Sequence, residues 1–162
     1  DDRGKPYANT LFFNGGMGAV SVKDGESVTS WPSNISNVPV ELAERNSPFV
    51  VHRKALIPGS GGPGRTRGGL GQEMILENRS PTPIGLIFMA ERTKRPAFGL
   101  AGGGEGALGE VLIDGKPTDV RADHILTTGQ TITIRTPGGG GFGSPDERDP
   151  AAVAEDERNG YV

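Results

Sequence analysis

The stretch that decides the fold is "TPGGGGFGSPDERDP" at residues 136–150, where four consecutive glycines separate a β-branched run from a helix-like tail. Its glycines include a G-x-G-x-x-G spacing, which marks a dinucleotide loop when a βαβ unit surrounds it. Pro145 and Pro150 delay the helix, and the residues from there to Val162 contain no second β-like run that would complete a βαβ unit. We therefore expect a sharp structural turn instead of a nucleotide loop. Its turn residues are Gly138, Gly139, Gly140, Gly141 and Gly143.

The composition of the whole chain repeats this pattern of glycine clusters between apolar runs. The 162 residues include 27 glycines and 13 prolines, clustered between stretches rich in Val, Ile, Leu and Phe. Such alternation is typical of a loop-rich β protein. We expect a single β-rich domain over 1–162, or a fragment of a longer subunit. Its fold class is mainly β, barrel- or sandwich-like, with glycine-rich turns and seven to nine strands.

Hydrophobic patterning places the individual elements. Two short helices are predicted at 38–45 and at about 149–158, the second with Asp149 as N-cap and Pro150 in its first turn. The predicted strands are 49–57, 73–78, 84–91 and 110–116, a strand–turn–strand over 9–22, and a hairpin over 124–136.

Charge and composition exclude several classes of protein. The absence of cysteine excludes disulfides and thiolate metal sites and fits a cytoplasmic origin. A net charge of −3 predicts no bulk attraction to nucleic acid, and no apolar run approaches the roughly 18 residues of a membrane span. Because the chain begins with Asp1 and not with Met, we expect a cut fragment or a processed product.

The glycine cluster at 58–72 is the best candidate for a binding site. It contains Arg65 and Arg67, and no acidic residue lies between Arg45 and Gln72. A nest of backbone N–H groups with two guanidinium forks suits a phosphate or carboxylate. The alternative, held equally open, is that both arginines pair with acids elsewhere in the fold or across a subunit interface. The candidate contacts to phosphate, substrate or a partner are Arg65, Arg67, Ser60, Gly61 and Gly62.

Other polar residues give weaker signals. His52 and His124 match no metal-ligand spacing, and no G-x-S-x-G nucleophile elbow is present. Glu41 and Glu44 suit either an acid/base pair or the neutralisation of a helix dipole. We therefore assign no catalytic residue and no metal ligand to this chain.

Five motifs in a fixed order resemble the C-terminal part of the hydantoinase B/oxoprolinase family, which includes subunits of N-methylhydantoinase, oxoprolinase, caprolactamase and acetophenone carboxylase. Each motif is weak alone, and together they extend over nearly the whole chain. The motifs are "NGGMGA" (14–19), "SNVPVELAE" (36–44), "GSGGPGRTRGGLG" (59–71), "RPAFGLAGGGEG" (95–106) and "TPGGGGFGSPDERDP" (136–150).

The resemblance implies a subunit of an ATP-dependent cyclic-amide hydrolase (hydantoin or oxoproline type), of which this chain is about the last third and is inactive alone. The implied partners are the upstream part of the same subunit and a hydantoinase A-type ATP-binding subunit, in a hetero-oligomer. ATP and a divalent metal are then expected elsewhere in the complex, with no cofactor bound by this chain. The alternatives are a related ketone carboxylase subunit, an assembly module without catalytic contact, and a free-standing anion-binding barrel.

Overall fold

The computed structural model describes residues 8–33, 35–36 and 38–162. It contains two α-helices, one 3₁₀ turn (Pro145–Glu147) and seven β-strands. In chain order the elements are α1 (Val40–Asn46), β1 (Phe49–Leu56), β2 (Gln72–Asn78), β3 (Ile84–Leu86), β4 (Glu110–Ile113), β5 (Lys116–Pro117), β6 (His124–Leu126), β7 (Thr131–Arg135) and α2 (Pro150–Arg158).

The strands form two antiparallel sheets. The large sheet has the order β1-β2-β7-β4-β5, and β3 pairs with β6 in a two-stranded sheet. The predicted mainly β class is confirmed, but the described residues form no closed barrel. The two sheets share one apolar core because their strands alternate buried and outward side chains. Its buried members are Phe49, Met74, Leu76, Val111, Leu126 and Ile132.

Five element predictions are confirmed, including the strand at 73–78, which the structure shows as β2 (Gln72–Asn78). The strand at β1 carries a bulge between Val51 and Arg53, which explains why Arg53 interrupts its apolar face. The β4–β5 hairpin turns at Asp114 and Gly115, both with positive φ. The helix α1 follows Pro39, and α2 begins after Asp149, whose side chain accepts a 2.9 Å hydrogen bond from the Ala151 N–H.

Three strand predictions are wrong or too long. The hairpin over 124–136 does not form, because β6 joins the small sheet while β7 lies between β2 and β4. The fully buried Asn78 side chain donates a 2.9 Å hydrogen bond to the Leu126 carbonyl, which helps to hold the end of β6 apart from β7. The strand predicted at 84–91 ends at Leu86. Within 9–22 the structure shows no strand, only an isolated bridge from Val20 to Lys23.

The glycine clusters form a third structural unit, which we call the glycine bundle. It consists of four chain segments: the first at 14–19, the second at 60–71, the third at 97–107 and the fourth at 137–143. The four consecutive glycines of the fourth segment are buried. Hydrogen bonds connect this segment to all three others. The fourth segment therefore lies at the centre of the bundle.

The hydrogen bonds of the bundle recur every third residue. Gly138 donates to the third segment, Gly139 donates to the second, and Gly140 accepts from the first. A β-strand has only two hydrogen-bonded neighbours, whereas three directions with a period of three are typical of polyproline II chains packed side by side. The pairs, at 2.8–3.1 Å, are Gly138 to Ala107, Gly141 to Gly104, Gly139 to Gly69, Phe142 to Thr66, Gly16 to Pro137 and Ala19 to Gly140.

The four central glycines are required by contact and not by turning. A Cβ at Gly139 would lie 1.8 Å from the Met17 carbonyl oxygen, and one at Gly138 would lie 1.8 Å from that of Ser60. The expected sharp turn at 138–141 is therefore wrong: these residues are extended, and only Gly143 has a positive φ, of 74°. Only glycine fits because the backbones themselves are in contact, as at the axis of collagen.

Candidate functional site

The glycine bundle meets the C-terminal helix at Arg67. The second segment places this arginine so that its side chain is only 9% exposed. Its Nε lies 3.3 Å from both carboxylate oxygens of Asp156, and its Nη1 donates 2.6 Å to the Gly68 carbonyl. The guanidinium carbon also lies 5.3 Å from the Tyr161 ring centroid. Arg67 therefore fixes α2 and the residues after it to the bundle.

Two further residues complete an ion cluster of Asp24, Arg67, Arg148 and Asp156, in which the Asp24 side chain is 34% exposed and the other three are 7–11% exposed; we call it the buried ion cluster. Arg148 forms a bidentate pair with Asp24 at 3.0 and 2.8 Å and lies 2.5 Å from Asp156. The backbone N–H of Arg67 donates 2.7 Å to Asp24. Each cation thus meets both carboxylates, so the cluster is neutral and its polar atoms are bonded.

The pKa values of this cluster follow from its hydrogen bonds. Burial by itself raises the pKa of Asp24, but the hydrogen bonds from Arg148 and from the Arg67 backbone outweigh it, so the pKa lies below its usual range. The hydrogen bond to Asp24 raises the pKa of Arg148 despite burial. Both groups are therefore charged at neutral pH, which suits a structural ion cluster and not a proton-transfer site.

Of the two interpretations of the arginines, pairing with acids inside the fold is the one that the structure shows for Arg67. Arg65 differs, because its side chain is 45% exposed and lies 3.9 Å from Glu147. It donates to the Ser21 carbonyl at 3.2 Å and covers the Phe142 ring at 6.0 Å. A contact from Arg65 to phosphate, substrate or a partner stays a prediction.

The other three candidates of the cluster, Ser60, Gly61 and Gly62, lie inside the bundle or against it. The Ser60 hydroxyl donates 2.6 Å to the Ile57 carbonyl and accepts 3.0 Å from the Gly71 N–H. The N–H of Gly62 donates to Gly139, and a Cβ at Gly61 would lie 2.0 Å from the Gly68 carbonyl oxygen. The Ser60 hydroxyl and the Gly62 N–H thus bond to the chain itself, and an anion nest at this cluster stays a prediction.

Sequence reasoning missed three members of the buried ion cluster. Asp24 and Arg148 give no recognisable signal in the sequence, and Asp156 belongs to an acidic C-terminal stretch that suits a solvated helix face or a partner-contacting tail. The structure corrects that interpretation for Asp156, which is 5% exposed. Four charges from three distant parts of the chain carry no local spacing, so no motif could have revealed them.

The remaining titratable candidates lie apart from this cluster. His52 lies 2.7 Å from Glu77, His124 lies 2.7 Å from the Asp119 carbonyl oxygen, and Glu44 accepts 2.8 Å from the Val51 N–H. Among the described residues, no three His, Asp or Glu side chains come together as metal ligands. The described side chains therefore do not fit a divalent metal, and we derive no chemical step through one. None of the described helices is long and apolar enough to span a bilayer.

Relatives of this chain occur among characterised enzymes. The chain is 32% identical over 166 residues to caprolactamase subunit beta of Pseudomonas jessenii, which covers 91% of this chain and 27% of that subunit. It is also 32% identical over 165 residues to 5-oxoprolinase PfmaA of Pestalotiopsis fici, covering 95% of this chain and 12% of that enzyme. The chain thus spans about a quarter or less of these relatives.

Two solved structures share the fold. The crystal structure of ATP-dependent caprolactamase from Pseudomonas jessenii aligns with a TM-score of 0.73 and 29% identity over 93% of this chain and 28% of that one. Nucleotide-free acetone carboxylase aligns with a TM-score of 0.76 and 24% identity over 92% of this chain and 25% of that one, a likeness of fold alone. A sequence profile of the hydantoinase B/oxoprolinase family matches residues 1–145, and the chain belongs to this family.

Proposed function

We propose that this chain is the C-terminal region of a subunit of an ATP-dependent enzyme that hydrolyses a cyclic amide. The observation that carries the proposal is the 32% identity to caprolactamase subunit beta over 91% of the chain. The likeness to a 5-oxoprolinase over 95% of the chain supports the same reaction class. In this proposal the subunit is cytoplasmic and works with an ATP-binding hydantoinase A-type partner in a hetero-oligomer.

Within such an enzyme, the described residues other than Arg65 contribute scaffold and not chemistry. The bundle amides and the buried ion cluster bond within the chain. The catalytic groups, the nucleotide site and any divalent metal then belong to other parts of the complex, and the isolated chain is inactive. Arg65 is the exposed candidate for contacts to phosphate, substrate or the partner, because its guanidinium is only weakly paired.

A ketone carboxylase subunit is the second candidate function. The TM-score of 0.76 to acetone carboxylase favours it on fold. The hydrolase relatives have the higher sequence identity, at 32% against 24%. We therefore rank hydrolysis first.

Turnover by the complete enzyme separates these candidates. The full-length subunit is expressed with its ATP-binding partner, and ADP release is measured with hydantoin, 5-oxoproline or caprolactam, and separately with acetone plus bicarbonate. The proposal expects cyclic-amide-dependent ADP release together with a ring-opened product. ADP release that requires both ketone and bicarbonate would contradict cyclic-amide hydrolysis and would support a ketone carboxylase.

Arg65→Ala then tests whether this region touches the chemistry, with the exposed Arg79→Ala as a matched control. If Arg65 contacts phosphate or substrate, its removal lowers kcat or raises KM while Arg79→Ala does not. Unchanged kinetics in an intact complex would reduce the region to an assembly module.

A further inference from the structure

The small sheet carries an apolar surface on the side away from the core. In β3, Ile84 and Leu86 pack against the core while Gly85 faces outward, and Ile87 and Met89 continue the outward positions beyond the strand end. The register places Ile125 of β6 directly opposite Gly85. We call these four residues, Gly85, Ile87, Met89 and Ile125, the apolar face.

The side chains of the apolar face are unusually exposed. Ile87 is 79% exposed, Met89 is 93% exposed and Ile125 is 73% exposed. A single exposed apolar residue is ordinary, but a group of large apolar side chains on one sheet face marks a contact surface. The β3–β6 pair also has no third strand in the described part of the chain. A two-stranded sheet is marginal alone and gains from a further covering element.

The outer face of the large sheet shows how this fold treats a surface that meets water. There, four strands carry a ladder of alternating charges. Arg53 bonds Glu73 at 2.8 Å, Glu73 bonds Arg135 at 2.8 Å, and Arg135 bonds Glu110 at 2.7 Å. The apolar face instead presents three large apolar side chains that are 73–93% exposed. The contrast indicates that the apolar face is covered in the working protein.

We propose that the apolar face is covered by the remainder of the same subunit, through an apolar surface of the polypeptide outside these 162 residues. This inference rests on the proposed function, in which the chain is one part of a longer subunit. The chain spans 27% of caprolactamase subunit beta, so most of a subunit of that size lies outside it. A covalently joined region is present at high effective concentration, so it reaches the face ahead of a separate protein.

Site-specific photo-cross-linking in the full-length subunit tests the occupant. Benzoylphenylalanine replaces Met89, and in a matched variant it replaces Val22, which is 88% exposed and lies outside the apolar face. After irradiation, the joined peptides are identified by mass spectrometry. The proposal expects Met89 to join peptides of the same subunit outside these 162 residues, in higher yield than Val22. Cross-links to the ATP-binding subunit, cross-links to a second copy of the subunit, or no cross-link would each overturn it.

A stability comparison provides an independent check. Ile87→Ser, Met89→Ser and Ile125→Ser are combined, with Val22→Ser as control. Because all these side chains are exposed in the isolated chain, its Tm should not fall. The Tm of the full-length subunit should fall for the triple variant alone, and an unchanged value would contradict the proposal. Neither experiment uses a substrate, so a failed turnover assay and a failed docking face remain distinguishable.

Discussion

The sheet core and the glycine bundle are two different solutions to the same packing problem. The sheet core fills its interior with side chains such as Leu126 and Ile132, which are 0% and 2% exposed. The bundle removes side chains and lets backbones touch, so that a Cβ at Gly139 or Gly140 would lie 1.8–2.0 Å from a carbonyl oxygen. The sheet core is stabilised by buried apolar area, and the bundle by close contact and hydrogen bonds between segments of the same chain.

The difference predicts opposite sensitivities. A side-chain core is damaged when atoms are removed, because a cavity is left. A backbone core is damaged when atoms are added, because carbonyl and amide groups cannot move aside without breaking their hydrogen bonds. Substitutions can therefore break each region separately.

The largest effect is expected from Gly139→Ala. The added Cβ would lie 1.8 Å from the Met17 carbonyl oxygen, so the first segment must separate from the fourth. We expect a loss of more than about 5 kcal/mol, in the exceptional range for one substitution, seen as a missing cooperative transition in urea. Gly18→Ala is the matched control, because its nearest contact would be 3.8 Å away. Equal effects of both substitutions would refute the backbone-packing explanation.

The second largest loss of stability is expected in the sheet core, from Leu126→Ala. This fully buried side chain joins the small sheet to the large one. Its removal should lower the free energy of unfolding by about 3–4 kcal/mol, measured by urea denaturation. Ile125→Ala, next to it on the exposed side, should change the value by less than about 0.5 kcal/mol. A loss at Ile125 as large as that at Leu126 would contradict the assignment of Leu126 to the core face of β6 and of Ile125 to the outer face.

The buried ion cluster connects the bundle to the C-terminal helix, and Asp156→Ala tests it. The substitution leaves Arg67 and Arg148 with one carboxylate between them, so we expect a loss of about 2–3 kcal/mol. Amide hydrogen exchange should show faster exchange over α2 than over the sheets. The control is Glu155→Ala, at an exposed position of the same helix. If exchange in α2 is unchanged, the cluster does not fix the helix.

The pH dependence of stability tests the buried ion cluster through a second member, Asp24. The pKa of Asp24 is lower in the folded state than in the unfolded state. The stabilisation that Asp24 gives to the folded state is therefore fully present above about pH 4 and is lost as the pH falls through the folded pKa. Urea midpoints measured from pH 7 to pH 3 should decline at the acidic end, and Asp24→Asn should flatten that decline. Asp146→Asn, at an exposed position, should leave the profile unchanged. A profile unaffected by Asp24→Asn would assign the acid sensitivity to other groups.

The smallest effect is expected on the outer face of the large sheet. Arg53→Ala removes one end of the charge ladder at a half-exposed position, so the cost should be below about 1 kcal/mol and should shrink in high salt. Urea denaturation at low and high ionic strength measures it. A cost that does not depend on salt would mean that the stem of Arg53, and not its charge, matters.

Much of the sheet architecture could be predicted from the sequence, because it depends on local patterns. A window of ten residues or fewer is enough to predict the alternation in β2, the Asp-Gly turn after β4 and the Asp149-Pro150 start of α2. The pairing of β6 with β3 was missed, because a short loop suggested a hairpin, whereas the true partner strand lies about 40 residues earlier in the chain and no local pattern points to it.

The candidate site was less predictable, since it depends on contacts between distant segments. Clustered glycines suggest turns, and nothing local distinguishes a turn from an extended segment surrounded by other backbones. The role of Arg67 likewise depends on Asp156, 89 residues away. The family resemblance, in contrast, needed only ordered motifs and is confirmed by the match over residues 1–145.

The position of the fourth segment has a consequence for biosynthesis. The centre of the bundle is the last of its four segments to leave the ribosome, and the contact from Thr136 to Asn14 links residues 122 positions apart. Until it arrives, the three outer segments lack their common hydrogen-bonding partner, and glycine loses more conformational freedom on ordering than other residues. Contacts of such long range make folding slow. The bundle therefore assembles only when the ribosome has translated nearly all of these residues, and its central fourth segment is added last.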